Sequence, residues 1–163
     1  MKAEKAERMA VQLMKRHGLT DKGWAFRFNF RIGSVGRATN DNGKKFIELS
    51  LPIVEVNQEE IINDVLLHEI GHAKRGIGHK HDSKWRSITK SIGGSGIEFW
   101  DVSSSCAAKS IVMPKGIGQW VCDNCSWSSE IYRRPKPRVR YSCRNCHSIM
   151  RRHYYPKPHT TYK

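Results

Sequence analysis

Asn57-Gln58-Glu59-Glu60-Ile61-Ile62-Asn63-Asp64-Val65-Leu66-Leu67-His68-Glu69-Ile70-Gly71-His72-Ala73-Lys74-Arg75 is the stretch that decides how this chain folds. Asn57 followed three residues later by Glu60 has the form of a helix N-cap with a supporting carboxylate. A helix is therefore predicted from there to about Arg75, with Gly76 and Gly78 breaking it. On a 3.6-residue period Ile61, Val65, His68 and His72 form one stripe, and Ile62, Leu66, Ile70 and Ala73 form the stripe beside it. The two histidines border the buried face, one above the other, so both imidazoles can bind a single ion. Glu69, one residue round the helix, can hydrogen-bond a water on that ion without taking a coordination position. The alternative is a pair of surface histidines beside an ordinary helix carboxylate.

A catalytic zinc has three protein ligands and one open position, so a third donor must come from farther along. The register of a metzincin fails, because Arg75 and Gly78 stand where glycine and histidine would be needed. The candidates are His79, His81 and Glu98. His81 precedes Asp82 and Ser83, either of which can cap a further helix whose apolar face is Trp85, Ile88 and Ile92, stopped by Gly93-Gly94.

Upstream, Ala6, Met9, Ala10, Leu13 and Met14 recur at helical spacing before Gly18, which predicts a covering helix over about residues 2–17. Trp24, Phe26, Phe28 and Phe30 alternate with Ala25, Arg27, Asn29 and Arg31, the period-two pattern of a strand with one buried face. A short strand near Val35 to Thr39, the turn Asp41-Asn42-Gly43, and the alternation of Ile47, Leu49 and Leu51 predict a hairpin that Pro52 ends. An extended substrate could pair with an edge strand in residues 35–51.

Downstream, Cys122-x-x-Cys125 and Cys143-x-x-Cys146 are seventeen residues apart, within the spacing of a structural zinc site. Four thiolates close the coordination shell, so this second metal is expected to hold a fold, leaving no open position. His147 adjoins the second pair, and Cys106 is unpaired.

Charge is concentrated in the same region. The chain of 163 residues carries Lys+Arg 29 against Asp+Glu 15, a formal +14, and residues 131–163 hold ten of those cations with no acid. Trp127, Tyr132, Arg133, Arg134, Lys136, Arg138 and Arg140, then Arg151 and Arg152, interleave rings that can stack on exposed bases with cations that neutralise phosphates. Single-stranded or distorted DNA is the expected ligand; nothing in the pattern encodes base sequence. The alternative is that these aromatics pack the small module and the charges only solvate it. No apolar run approaches the ~18 residues of a membrane helix, and Met1-Lys2-Ala3-Glu4-Lys5 leads into no apolar segment. Export and membrane association are not expected, and a cytoplasmic location is.

Taken in order, Trp24, Ile47-Glu48-Leu49-Ser50, Asn57 with Glu60, His68-Glu69-Ile70-Gly71-His72-Ala73, and His81-Asp82-Ser83-Lys84-Trp85 resemble the SprT-like metalloproteases, which include the Spartan proteases. Family members pair HExxH with a later His-x-x-x-(Trp/Phe), and many bacterial and phage members end in a zinc ribbon. The resemblance spans about residues 10–150. It implies a small zincin fold, with His68, His72 and His81 on a catalytic zinc and Glu69 as general base. From its Spartan branch it also implies DNA-dependent cleavage of proteins attached to DNA.

The expected architecture is α+β: a zincin-like domain (1–113) with the HExxH helix packed on a short sheet, a linker (114–118), a zinc ribbon (119–152) and a flexible basic tail (153–163). Two zinc ions are expected, one catalytic and one structural. The alternatives are a nucleic-acid-binding regulatory adaptor with a structural or inactive HExxH site, and a peptidase dedicated to one regulatory protein.

Overall fold

The structure, a computed structural model, describes residues 1–97, 111–132, 135–136 and 140–155. Glu98, Cys106, Arg133, Arg134 and Arg138, singled out in the sequence, lie outside the described residues. The chain divides into two compact units, Met1–Pro114 and Lys115–Lys163.

In the first unit, helix α1 (Ala3–Arg16) buries Ala6, Ala10, Leu13 and Met14, the apolar stripe of its sequence. Gly18 follows in the left-handed region at φ 67°, and a 3-10 turn (Thr20–Lys22) leads into strand β1 (Trp24–Asn29). Strands β2 (Gly36–Asp41) and β3 (Lys44–Ser50) form the hairpin expected around Asn42-Gly43, both of which sit at positive φ. The sheet order is β1-β3-β2, with β3 parallel to β1 and antiparallel to β2.

Strand β3 turns directly into a short helix α2 (Leu51–Val56) that the alternation of Leu49 and Leu51 had suggested was still strand. Pro52 explains the switch: it lies in the first helical turn, where a missing N–H costs nothing. Helix α3 (Glu59–Arg75) carries HExxH, and helix α4 (Ser83–Ser91) follows.

Three local expectations are corrected. Asn57 does not cap α3; Gln58 occupies the N-cap without a side-chain bond. The buried Asn57 amide instead donates to the carbonyls of Ile53 and Val112 at 2.7 Å each and accepts from the Val112 N–H at 2.7 Å. It thus pairs with a distant segment as a backbone amide would, satisfying groups that would otherwise be buried unbonded. Phe30 is 75% exposed because β1 ends at Asn29, whose side chain accepts from the Arg31 N–H at 2.9 Å and turns the chain away from the sheet. On α4 the buried positions are Trp85 and Thr89, while Ile88 and Ile92 are only half-buried.

The core lies between the sheet and α1 and α3. Ile47 and Leu49 of the central strand meet Ile62, Val65, Leu66 and Ile70 of α3, all essentially inaccessible. Each such side chain contributes about 1.5–3 kcal/mol on burial, so α3 is anchored along its length by residues interleaved with the histidines. Gly36 lets β2 sit tightly on this helix: a Cβ there would lie 2.8 Å from Val65 Cγ1 and 2.9 Å from Glu69 Cγ.

The second unit is a three-stranded antiparallel sheet of β4 (Gly118–Val121), β5 (Ser128–Ile131) and β6 (Arg151–Tyr154), in the order β5-β4-β6. Ordered structure therefore reaches past the expected end at 152. His153 and Tyr154 pair with Gln119 and Gly118, and the Tyr155 hydroxyl donates to Glu130 at 2.6 Å. Among the described residues, no helix is long and apolar enough to cross a membrane.

Candidate active site and metal centres

The i, i+4 spacing on α3 stacks His68 above His72, and the segment between α3 and α4 brings His81 to the same point. The Nε2 atoms are 3.2 Å apart for His68 and His72, 3.0 Å for His72 and His81, and 3.0 Å for His68 and His81. A neutral imidazole nitrogen either donates or accepts, so three of them in a triangle cannot satisfy all three contacts with protons. A shared cation can. A tetrahedral zinc with Zn–N of 2.0–2.1 Å sets its nitrogens ~3.3 Å apart, so the triangle fits such an ion closely. His79 does not join this group, and its ring lies 3.3 Å from where a Cβ on Gly76 would stand.

Two features place His81. Asp82 caps α4 by accepting from the Trp85 N–H at 2.7 Å, and its carboxylate also takes Arg75 Nε at 3.0 Å and Nη2 at 2.8 Å. The end of α3 is thus tied to the start of α4, with His81 adjoining the tie. The Arg75 side chain, with the Trp85 amide, holds the Asp82 carboxyl down at about 2.

Trp85 is fully buried and touches all three imidazoles, with ring centroids at 4.7 Å from His68, 5.2 Å from His72 and 4.4 Å from His81. Gly71, inside HExxH, allows this approach: a Cβ there would lie 2.2 Å from Thr89 Oγ1 and 3.1 Å from Trp85 Nε1. A glycine inside an otherwise regular helix is a signal of close packing. Sequence reasoning passed over it, and over Thr89 as its partner.

Burial, reinforced by the neighbouring imidazoles, pushes His68 down to about 3; burial and His81 push His72 down to about 4. Both rings are neutral at physiological pH, the form a metal needs. Glu69 moves the other way: burial raises its carboxyl to about 8, against the opposing pull of the Ala38 N–H and Arg37. Its Oε2 accepts from the Ala38 N–H of β2 at 2.8 Å, which fixes the carboxylate between the histidine helix and the sheet edge. A dication beside it would favour ionisation.

The chain belongs to the SprT-like family. Its family model matches residues 5–106, which include the histidine triad and Glu69. No curated protein sequence matches the chain. Among solved structures, the metallopeptidase zymogen of Pyrococcus abyssi abylysin is similar at 20% identity with a TM-score of 0.42, over 52% of this chain and 76% of that one.

In the second unit, Cys122, Cys125, Cys143 and Cys146 bring four sulfurs within 4.8 Å of one another, and none is in a disulfide. The two Cys-x-x-Cys turns have the same backbone. Ser126 N–H donates to Cys122 O and His147 N–H to Cys143 O, each at 3.0 Å, with Ser126 at φ 58° and His147 at φ 59°. His147 thus occupies a turn position that serine fills in the other knuckle. The Ser148 hydroxyl and the Asn124 side chain hold the Cys146 thiol down at about 5. Four sulfurs converging from two matched turns fit a closed tetrahedral metal site.

Of the residues expected to face nucleic acid, Trp127 is half-buried, packed against the knuckles with Cys122, Cys143 and Met150. Arg151 is engaged by Asp123 through two bonds of 2.5 and 2.6 Å. Arg140 and Arg152 are exposed, and Tyr132 and Lys136 are partly or wholly accessible. The aromatic that sequence reasoning missed is Trp120, which lies 4.4 Å from Tyr141 with the Arg152 guanidinium 5.6 Å over its ring.

Proposed function

We propose that this protein is a zinc-dependent endopeptidase of the SprT type, with a second, structural zinc in the four-cysteine unit. The observation that carries this reading is the convergence of three imidazole nitrogens within 3.2 Å of one another, with the Glu69 carboxylate of the same helix held at the edge of the sheet. His68, His72 and His81 would hold the catalytic ion, which when bound supplies a Lewis acid and an acidified water.

Glu69 is the group that moves the proton, accepting it from the attacking water and delivering it to the leaving amine nitrogen. The Ala38 N–H fixes the position of Glu69. Trp85 excludes water from the inner side of the triad. The β2 backbone beyond β3 offers the extended edge to which a peptide can add.

The substrates we propose are proteins bound or crosslinked to DNA, with the basic second unit as the recruiting element. The cations of residues 131–163, and the exposed Tyr141 and Arg152 beside the half-buried Trp120 ring, support binding to single-stranded or distorted DNA. Recruitment of this kind raises the local substrate concentration without any new contact at the active site. Deleting residues 119–163 should abolish DNA stimulation of cleavage while sparing slow cleavage of an unfolded peptide. Cleavage of DNA-bound protein at an undiminished rate after that deletion would refute the recruiting role.

A further inference from the structure

The face of the first sheet turned away from α3 carries a polar cavity of about 550 Å³ that neither the histidine centre nor the core uses. Its lining includes Arg27, Arg31, Arg37, Thr39, Asp41 and Glu48. Glu48, on the central strand, is only 3% exposed. Arg27 holds it with Nε at 2.7 Å and Nη2 at 2.5 Å, and Asn29 donates to it at 3.2 Å. Arg27 also lies 3.4 Å from Asp41 and 3.9 Å over the Phe46 ring.

Both carboxylates of the cavity are thus committed to Arg27. Arg37 donates to Thr39 Oγ1 at 3.1 Å and has its Nε 3.8 Å from Glu48. Its remaining N–H groups have no partner among the described residues. Three guanidinium groups against two carboxylates leave the cavity net positive.

This cavity borders the free edge of β2. Among the described residues no strand pairs with that edge, and the Ala38 N–H that points along it reaches Glu69. Alternate residues of an edge strand direct their backbone groups outward, so Gly36 and Asn40, together with the Ala38 carbonyl, form the pairing edge, the Ala38 N–H being held by Glu69. Their neighbours Arg37 and Thr39 project onto the cavity face. A peptide strand added here places the side chains on either side of the residue opposite Ala38 on the same face as Arg37 and Thr39, with cross-strand Cβ atoms about 4.5–5.5 Å apart.

We propose that the cavity is a subsite for an acidic side chain of a peptide lying along β2, read by Arg37. The proposal rests on the peptidase reading for the peptide's position. Its chemistry rests on the unpaired guanidinium donors, which match a carboxylate in a charge-assisted pair. A lysine or arginine at the same place meets like charge. Because Arg37 is 42% exposed, the preference is modest, about fivefold.

The test uses the full chain, zinc-loaded, and pairs of peptides identical except for Glu or Lys at each position flanking the cleaved bond. At one flanking position the wild type should favour Glu over Lys by about fivefold in kcat/KM. Arg37→Gln should remove the preference and Arg37→Glu should reverse it. The ratio is insensitive to any general loss of activity caused by rearrangement around Glu48.

Binding of the same peptides to the zinc-loaded Glu69→Gln protein, read by fluorescence anisotropy, gives the order without turnover. Equal Glu and Lys values in wild type and Arg37→Gln, by both readouts, overturn the proposal. So does an Arg37→Gln variant that loses affinity for a short oligothymidylate while its peptide ratio stays unchanged, since the cavity would then be a phosphate site. Arg37-dependent acidic preference in binding, with no cleavage by wild type, would sustain the subsite and sink the peptidase reading.

Discussion

The histidine and cysteine centres gather their donors in opposite ways. His68 and His72 ride on a seventeen-residue helix fixed by Ile62, Val65, Leu66 and Ile70, and His81 is set by the Arg75–Asp82 tie and covered by Trp85. The cysteines sit on two turns in a unit whose buried cluster is Cys122, Cys143 and Met150, with Trp120, Trp127 and Cys146 packed around it. One scaffold forms its core away from the site; in the other, the site is the core. A centre that leaves a coordination position for chemistry needs donors held by something other than the metal. A centre that only holds a fold can be filled completely by its own ligands.

Metal removal from the full chain should break this comparison most visibly. Structural zinc sites are worth about 10–16 kcal/mol of apparent binding energy, so chelation or Cys143→Ser should unfold the second unit outright. The first unit should keep its amide protection. Hydrogen exchange resolved by segment would show this, and parallel loss of protection in both units would contradict the distinction.

At the histidine centre, Glu69→Gln should lower peptide cleavage by at least about 10²-fold while zinc content and folding stay unchanged. Metal analysis alongside the rate separates loss of the proton carrier from loss of the ion. Trp85→Ala should cost about 3–5 kcal/mol and loosen metal binding, since it removes the ring that all three imidazoles contact. Denaturant titration and zinc affinity measure the two effects, and Trp85→Phe should recover part of both.

Gly71→Ala sharpens the packing argument. A Cβ 2.2 Å from Thr89 Oγ1 should destabilise by about 1–3 kcal/mol. Thr89 Oγ1 is buried with no partner among the described residues, so Thr89→Ala costs little by itself and should relieve Gly71→Ala in the double variant. Additive losses would mean that the contact is not the cause.

The smallest effect is on pH. His68 and His72 titrate well below the ordinary histidine range when folded, so the unfolded chain binds more protons below about 6.5 and their contribution to stability falls on acidification towards 4 and 3. Glu69, raised to about 8, acts oppositely: between about 4.5 and 8 the folded chain holds the extra proton, and acidification through that range stabilises. Metal-free Glu69→Gln should therefore lose stability more steeply from pH 7 to pH 4.5 than the metal-free wild type, as read from urea midpoints. Identical slopes would contradict the assigned shifts.

Much of this was legible in the sequence wherever one residue's chemistry sufficed. The helical stripe of α1, the Asn42-Gly43 turn, the HExxH helix and the Asp82 cap all depend on neighbours within four residues, and the cysteine pairs declare themselves by spacing. What escaped depends on distant partners. Asn57 looked like a cap because its partner Val112, 55 positions away, is invisible locally. The Glu69 contact is to a backbone N–H, which carries no sequence signature. Trp127 and Trp120 both pack against the cysteine cluster, and only the fold shows that Trp120 also pairs with Tyr141 under the Arg152 guanidinium. Arg151 counted as a free cation until Asp123 was seen to hold it.

The measurement that bears most directly on the central claim is cleavage of a DNA-binding protein by the zinc-loaded full chain, with and without single-stranded DNA, beside a Glu69→Gln control of equal zinc content. Cleavage that requires both the DNA and the Glu69 carboxylate is the predicted result. A folded, zinc-loaded protein that binds the DNA and leaves the protein intact would contradict it.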